Sequence, residues 1–167
     1  MYAGDDISQV GTVYDRVKRS LLTKKGVTLP DAQGAISSAR DNIICENLQH
    51  GALRPVGVSV RDFVERSHEL VSDDDQRAEM IWSVANAKLG SEFLLAGFDE
   101  RQLPHVVTFP DDDCAPTHHD RHGFGWVGSG GIIAQHHIVM LNYTRDVPAV
   151  TAGYALCAAK FTAESAF

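Results

Sequence analysis

Phe93-Leu94-Leu95-Ala96-Gly97-Phe98-Asp99, Pro104-His105-Val106-Val107-Thr108-Phe109 and Gly123-Phe124-Gly125-Trp126-Val127 decide how this chain reads. The first is a short apolar run closed by Gly97 and Asp99, the pattern of a buried strand. The second follows after a short turn and predicts its pairing partner. The third predicts another strand over 123–127. Gly128-Ser129-Gly130-Gly131 then turns the chain into a helix starting near Ile132.

Upstream of these strands the pattern is helical. Ile7, Val10, Val13, Tyr14, Val17 and Leu21 share one face of a helix that Asp5 or Asp6 can cap and Gly26 can stop. Lys18, Arg19, Lys24 and Lys25 near its end suit the negative pole of the helix dipole. Residues 27–31 read as a break. A second helix runs through Ala35, Ile36, Ala39, Ile43, Ile44 and Leu48 to about His50-Gly51. Pro55 and Gly57 mark an irregular link, and Ser59 caps a helix over 60–70 with Phe63, Val64 and Leu70 inward. Asp73-Asp74-Asp75 starts the next helix, which buries Met80, Ile81, Val84, Ala85 and Leu89 and stops at Gly90. The acidic run lacks the ligand spacing of a calcium loop and reads as a solvated helix start. Downstream, helices are predicted over about 132–143 and 147–166. Asp146 and Pro148 would start the last one, and Val150, Tyr154, Cys157, Ala158 and Phe161 would form its packing face.

The chain has 167 residues, enough for one domain with a sizeable core, and no repeat or linker interrupts it. A 44% hydrophobic share argues against disorder. Net charge is -7 with no basic run, which makes nucleic acid and anionic membranes poor partners. No apolar run is long enough to span a bilayer, and no signal-peptide pattern follows Met1. Three well-separated cysteines, Cys45, Cys114 and Cys157, favour reduced thiols and a cytoplasmic setting. Cys45 and Cys157 sit among apolar residues and are expected to pack in the core.

The combined order of 93–99 and 123–135 resembles the central part of proteasome β-type subunits, in the N-terminal-nucleophile hydrolase superfamily. Leu95-Ala96-Gly97-Phe98-Asp99 is similar to that family's strand ending in Gly-aromatic-Asp. Residues 104–110 resemble the strand that follows, Gly128-Ser129-Gly130 its Gly-Ser-Gly turn, and 152–167 its next helix. The resemblance implies an α+β fold that is part of a four-layer αββα sandwich lacking its first and last strands. It also implies a helical insertion within 27–90. The family cleaves peptide amides with an N-terminal Thr, Ser or Cys whose own α-amino group acts as base. That residue belongs to early strands with no counterpart here, since Met1 falls past them, so the chain is expected to be inactive alone. The resemblance makes Ser129 a supporting residue beside the acyl intermediate, with Gly128 and Gly130 in the same turn. It needs no cofactor. It implies homo- or hetero-oligomers of proteasome-like subunits, with a peptide as substrate once the site is complete. Missing strands would leave open edges and uncovered apolar surface, which also predicts association.

Three further patterns bear on function. A nucleophile elbow needs Gly two residues either side of Ser129; Gly131 fits, but Val127 does not. Gly123-Phe124-Gly125-Trp126-Val127-Gly128 matches G-x-G-x-x-G but lies within the predicted strand instead of opening a helix, so no dinucleotide site follows. Loop 111–122 gathers Asp111, Asp112, Asp113, Cys114, His118, His119, Asp120 and His122, with His136 and His137 downstream. Imidazole and carboxylate suit zinc, so a metal site on His118, His119 and His122 is the alternative reading. Adjacent His118 and His119 point apart in most backbones, and a surface loop is an ordinary home for such residues. A non-catalytic assembly subunit is the other alternative.

Overall fold

The computed structural model describes residues 5–111 and 115–166. Met1–Gly4, Asp112, Asp113, Cys114 and Phe167, which enter the readings of the chain ends and the acidic loop, lie outside the described residues. The protein mixes helix and sheet in an α+β arrangement: α1 (Asp5–Leu22), α2 (Leu29–His50), α3 (Val60–Leu70), α4 (Asp74–Ala85), β1 (Phe93–Phe98), β2 (Pro104–Phe109), β3 (Thr117–His118), α5 (Gly131–Met140) and α6 (Ala149–Glu164). The chain divides into two compact units, one of Met1–Lys24 and Asp31–Gly90, the other of Lys25–Pro30 and Ser91–Phe167. Among the described residues, no helix is long and apolar enough to cross a membrane.

The first unit is helical. Its sequence signals act locally: Ser59 Oγ accepts the Asp62 N–H at 3.1 Å, and Asp73 Oδ1 accepts the Gln76 N–H at 2.9 Å, so each caps its helix. Leu53, Phe63, Val71 and Met80 form its buried cluster, with Val56, Val58 and Val84 against it. Leu53 lies in the irregular link, so the link is folded onto the α3 and α4 side chains rather than looping away. Several expectations need correction here, among them Val64 and Ala85, which are exposed and not inward. α2 begins at Leu29, inside the predicted break, because Pro30 suits a first helical turn. α4 ends at Ala85, well before Gly90, and leaves Ile81 about half exposed. Cys45 is exposed, because the buried stripe of α2 runs through Ala32, Ile36, Ala39, Arg40, Ile43 and Leu48 and passes it by.

The second unit holds an antiparallel sheet in the order β1-β2-β3. β1 and β2 pair from Phe93 opposite Phe109 to Phe98 opposite Pro104, as the two apolar runs predicted. Asp99 closes the hairpin. Its Oδ1 accepts the N–H groups of Arg101 at 2.9 Å and Leu103 at 2.8 Å, and Gln102 takes a positive φ of 61°. Period two divides the side chains: Val107 and Phe109 are fully buried on one face, and Thr108 lies on the other.

The third strand is not where the sequence placed it. β3 is Thr117–His118, paired with Thr108 and Val107 of β2. Residues 124–127 carry no strand pairing. Gly125 explains the difference: a Cβ there would come within 3.0–3.3 Å of Val106, His119 and Thr108 side chains. This segment crosses over the Thr108 face instead of adding to the sheet edge.

α5 packs on α6. The inward residues of α6 are Ala155, Ala159 and Ala163, whose small side chains permit close approach. The predicted packing face is therefore corrected: Val150 is 86% exposed, Tyr154 71% and Phe161 73%, and Cys157 is also exposed. Alanines at i, i+4 and i+8 define a narrower stripe than the larger side chains suggested. The N-cap of α6 is Pro148 rather than Asp146, with no side-chain capping bond.

Candidate functional site

A cleft of about 350 Å³ opens on the Thr108 face of the second unit. Thr108, Thr117 and His119 come from the sheet, Trp126 from the crossing segment, and Ser129 and Ile132 from the Gly-rich turn and α5. Pairing geometry makes the floor. Thr117 stands opposite Thr108, and the His119 N–H donates to the Val106 carbonyl at 2.8 Å, extending the ladder one residue. Alternation then puts Thr117 and His119 on the cleft face and His118 on the other.

His119 is buried, with Nε2 2.8 Å from Thr108 Oγ1. Burial, with nearby His122 and His118, pushes its pKa below the ordinary value, although Asp120 opposes this. The site therefore disfavours the imidazolium form. Its ring lies 5.3 Å from that of Trp126, which in turn lies 6.0 Å from Phe124; Tyr143 meets Phe124 edge-on at 5.6 Å. Gly131 completes the fit, since a Cβ there would collide with the Trp126 ring.

The turn residues Gly128, Ser129 and Gly130 line or adjoin the cleft. Gly128 has φ 88°, a conformation that other residues rarely adopt. Its N–H donates to Glu92 Oε2 at 2.5 Å, so this donor is occupied by the chain's own carboxylate. Gly130 is the N-cap of α5 and supplies no side-chain cap; the Gly131 N–H donates to the Gly128 carbonyl at 3.0 Å and the Ile133 N–H to the Gly130 carbonyl at 3.1 Å. Ser129 is exposed at the rim.

The described histidines of the loop are not brought together as a ligand set. Among the described residues, no group of three His, Cys, Asp or Glu is placed to hold a metal ion. His118 and His119 alternate across the strand, and His119 Nε2 is engaged by Thr108. The backbone turns after His119, whose carbonyl accepts the N–H of His122 at 2.9 Å and Gly123 at 2.8 Å. What this segment builds instead is an ionic clasp that the sequence reading missed: His105 Nδ1 is 2.6 Å from Asp120 Oδ2, and His105 Nε2 is 3.5 Å from Asp99 Oδ2. The signal available in the sequence was the cross-strand parity that sets Asp120 beside His105 once His118 faces Val107.

Comparison with family models, with curated proteins and with solved structures gave no match.

Proposed function

We propose that this chain is a proteasome β-like subunit of the N-terminal-nucleophile hydrolase superfamily, working on peptide amides within an oligomer. One observation carries the reading: the β1–β2 hairpin and the Gly128–Gly131 turn lead into the packed α5–α6 pair, and a cleft opens at that turn. In this reading the sheet and helix pair belong to a four-layer αββα sandwich, and the helical insertion lies within 27–90. Ser129 and the N–H groups of the turn would support the oxyanion of the acyl intermediate. The Gly128 N–H could join them only if Glu92 releases it. None of the described residues takes the part of the N-terminal nucleophile. A cytoplasmic setting fits two exposed free thiols, Cys45 and Cys157.

The test is a fluorogenic peptide-amide assay on the chain alone, followed by sedimentation velocity over a hundredfold concentration range. The expected result is no amine release above buffer, with association as concentration rises. A monomer throughout would overturn the subunit reading; release by the chain alone would overturn its dependence on a partner.

A non-catalytic interaction subunit is the second reading. The exposed apolar residues Val150, Tyr154, Leu156 and Phe161 along α6 favour it. Association that survives with no hydrolysis in any assembly distinguishes it from the first.

A further inference from the structure

We propose that the cleft on the Thr108 face binds a cationic group, a guanidinium or alkyl ammonium on a short apolar stem. Under the hydrolase reading, on which this part rests, that group is the side chain of a basic residue in a peptide substrate.

Size comes first. About 350 Å³ lies within the range of small-ligand pockets and fits one long side chain better than a folded partner. Charge comes next. Among the described residues lining the cleft, Glu92 supplies the one carboxylate, no Lys or Arg contributes, and burial disfavours a charge on His119. An anionic ligand would face a carboxylate with no compensating cation. A cation would find its counter-charge already oriented. The Gly128 N–H fixes Glu92 through Oε2, while Oε1 makes no hydrogen bond to the described residues.

The walls suit the rest of such a ligand. Trp126 offers an aromatic surface to the cation, and Ile132, Val127 and Pro110 offer apolar surface to its stem. The indole is held by His119 and Phe124 and by the missing Cβ at Gly131, so little ordering is left for binding to accomplish. Thr117 and Ser129 place hydroxyl acceptors at the same opening for the N–H groups of a guanidinium.

The experiment uses Trp126 as reporter. The chain has two tryptophans, and Trp82 lies in the first unit, so Trp82→Phe leaves a single indole beside the cleft. Its fluorescence is titrated with N-acetyl-arginine methylamide, with the neutral isostere N-acetyl-citrulline methylamide, and with N-acetyl-glutamate methylamide. The expected result is a saturable change with the arginine probe and affinity on the order of tenfold weaker for citrulline. Glu92→Gln, which keeps an acceptor for the Gly128 N–H, should bring arginine and citrulline within about twofold of each other, the circular dichroism being unchanged. Equal response to arginine and citrulline in the parent, or no saturation with arginine at millimolar concentration, overturns the proposal. The readout needs no turnover. Arginine binding without hydrolysis in any assembly supports the cleft's charge preference and removes the hydrolase reading alone. Hydrolysis without arginine binding removes the cleft assignment alone.

Discussion

His105 and Asp120 close the open end of the small sheet: Nδ1 of the imidazole lies 2.6 Å from Oδ2 of the carboxylate, one residue beyond the last ladder hydrogen bond. The second oxygen of Asp120 accepts the Val106 N–H at 2.9 Å, so this carboxylate replaces the strand that would otherwise continue. Asp99, at the hairpin turn, stands 3.5 Å from the other ring nitrogen. One imidazole therefore ties the β1–β2 turn to the chain leaving β3.

This clasp predicts a pH dependence with a definite sign. The Asp120 hydrogen bond, against an opposing burial effect, raises the His105 pKa above its ordinary 6.5. Stability from that shift is complete below 6.5 and is lost as pH rises through the raised value. Asp99 is lowered, first by the Leu103 N–H and then by His105. Burial pushes Asp120 up, but hydrogen bonds from His105 and the Val106 N–H outweigh it and lower the pKa. The carboxylate contributions are present above the ordinary 3.8 and fade as pH falls through the lowered values. Arg145 also donates to the Asp120 carbonyl, at 3.4 Å, and nearby His118 helps to lower the Asp120 pKa. Thermal midpoints should peak between these limits and fall above neutrality. His105→Gln should flatten the alkaline limb; an unchanged limb would remove the clasp as its cause.

Two glycines provide an opposed test of propensity and space. Alanine is the better helix former by about 1 kcal/mol, so Gly131→Ala should stabilise the start of α5 if propensity decided the matter. The Trp126 ring leaves no room for the methyl group. We expect Gly131→Ala to destabilise by about 1–3 kcal/mol and to shift Trp126 emission. Gly125→Ala, facing Val106 and His119, should cost a similar amount. Urea titration of both variants checks this, and a gain in stability for either would show that the crossing segment is free to move.

Capping and core packing in the first unit should differ in scale. Asp73→Ala removes one N-cap hydrogen bond and should cost about 1 kcal/mol. Leu53→Ala empties a site with no exposure at all and should cost about 2–5 kcal/mol. Equal losses in denaturant titrations would contradict the view that the link around Leu53 anchors α3 and α4.

The outer face of α6 should govern association. Tyr154→Glu with Phe161→Glu adds charge where the structure buries nothing, so folding should change by less than about 0.5 kcal/mol per site. Concentration-dependent sedimentation should disappear. Association that persists would move the contact elsewhere.

Where a single local signal governs, the sequence was legible. Ser59 and Asp73 are strong caps, and both start helices as read. Phe93-Leu94-Leu95 and Val106-Val107 are too apolar to lie outside a sheet, and Asp99 can fold a turn by itself. Errors arose where the deciding contact was distant. Phe124 and Trp126 have strand propensity, but Gly125 lies against the face of another strand, which no local pattern reports. In α6, aromatic size pointed to burial of Tyr154 and Phe161, whereas the alanine stripe decided what packs. Ser129 and His119 stood out in the sequence for other roles, and both line the cleft. Their grouping with Glu92, Thr108 and Trp126 depended on the register of a strand whose pairing the sequence did not reveal.

That register makes the identity of two neighbours a matter of odd and even. Inserting one residue between Thr117 and His118 would turn His118 into the cleft and His119 out of it, and would carry Asp120 away from His105. Inserting two would restore the facing of every side chain. Neither length change should be tolerated: an odd one inverts the facing, and an even one keeps it but slides His119 away from Thr108 and Asp120 away from His105.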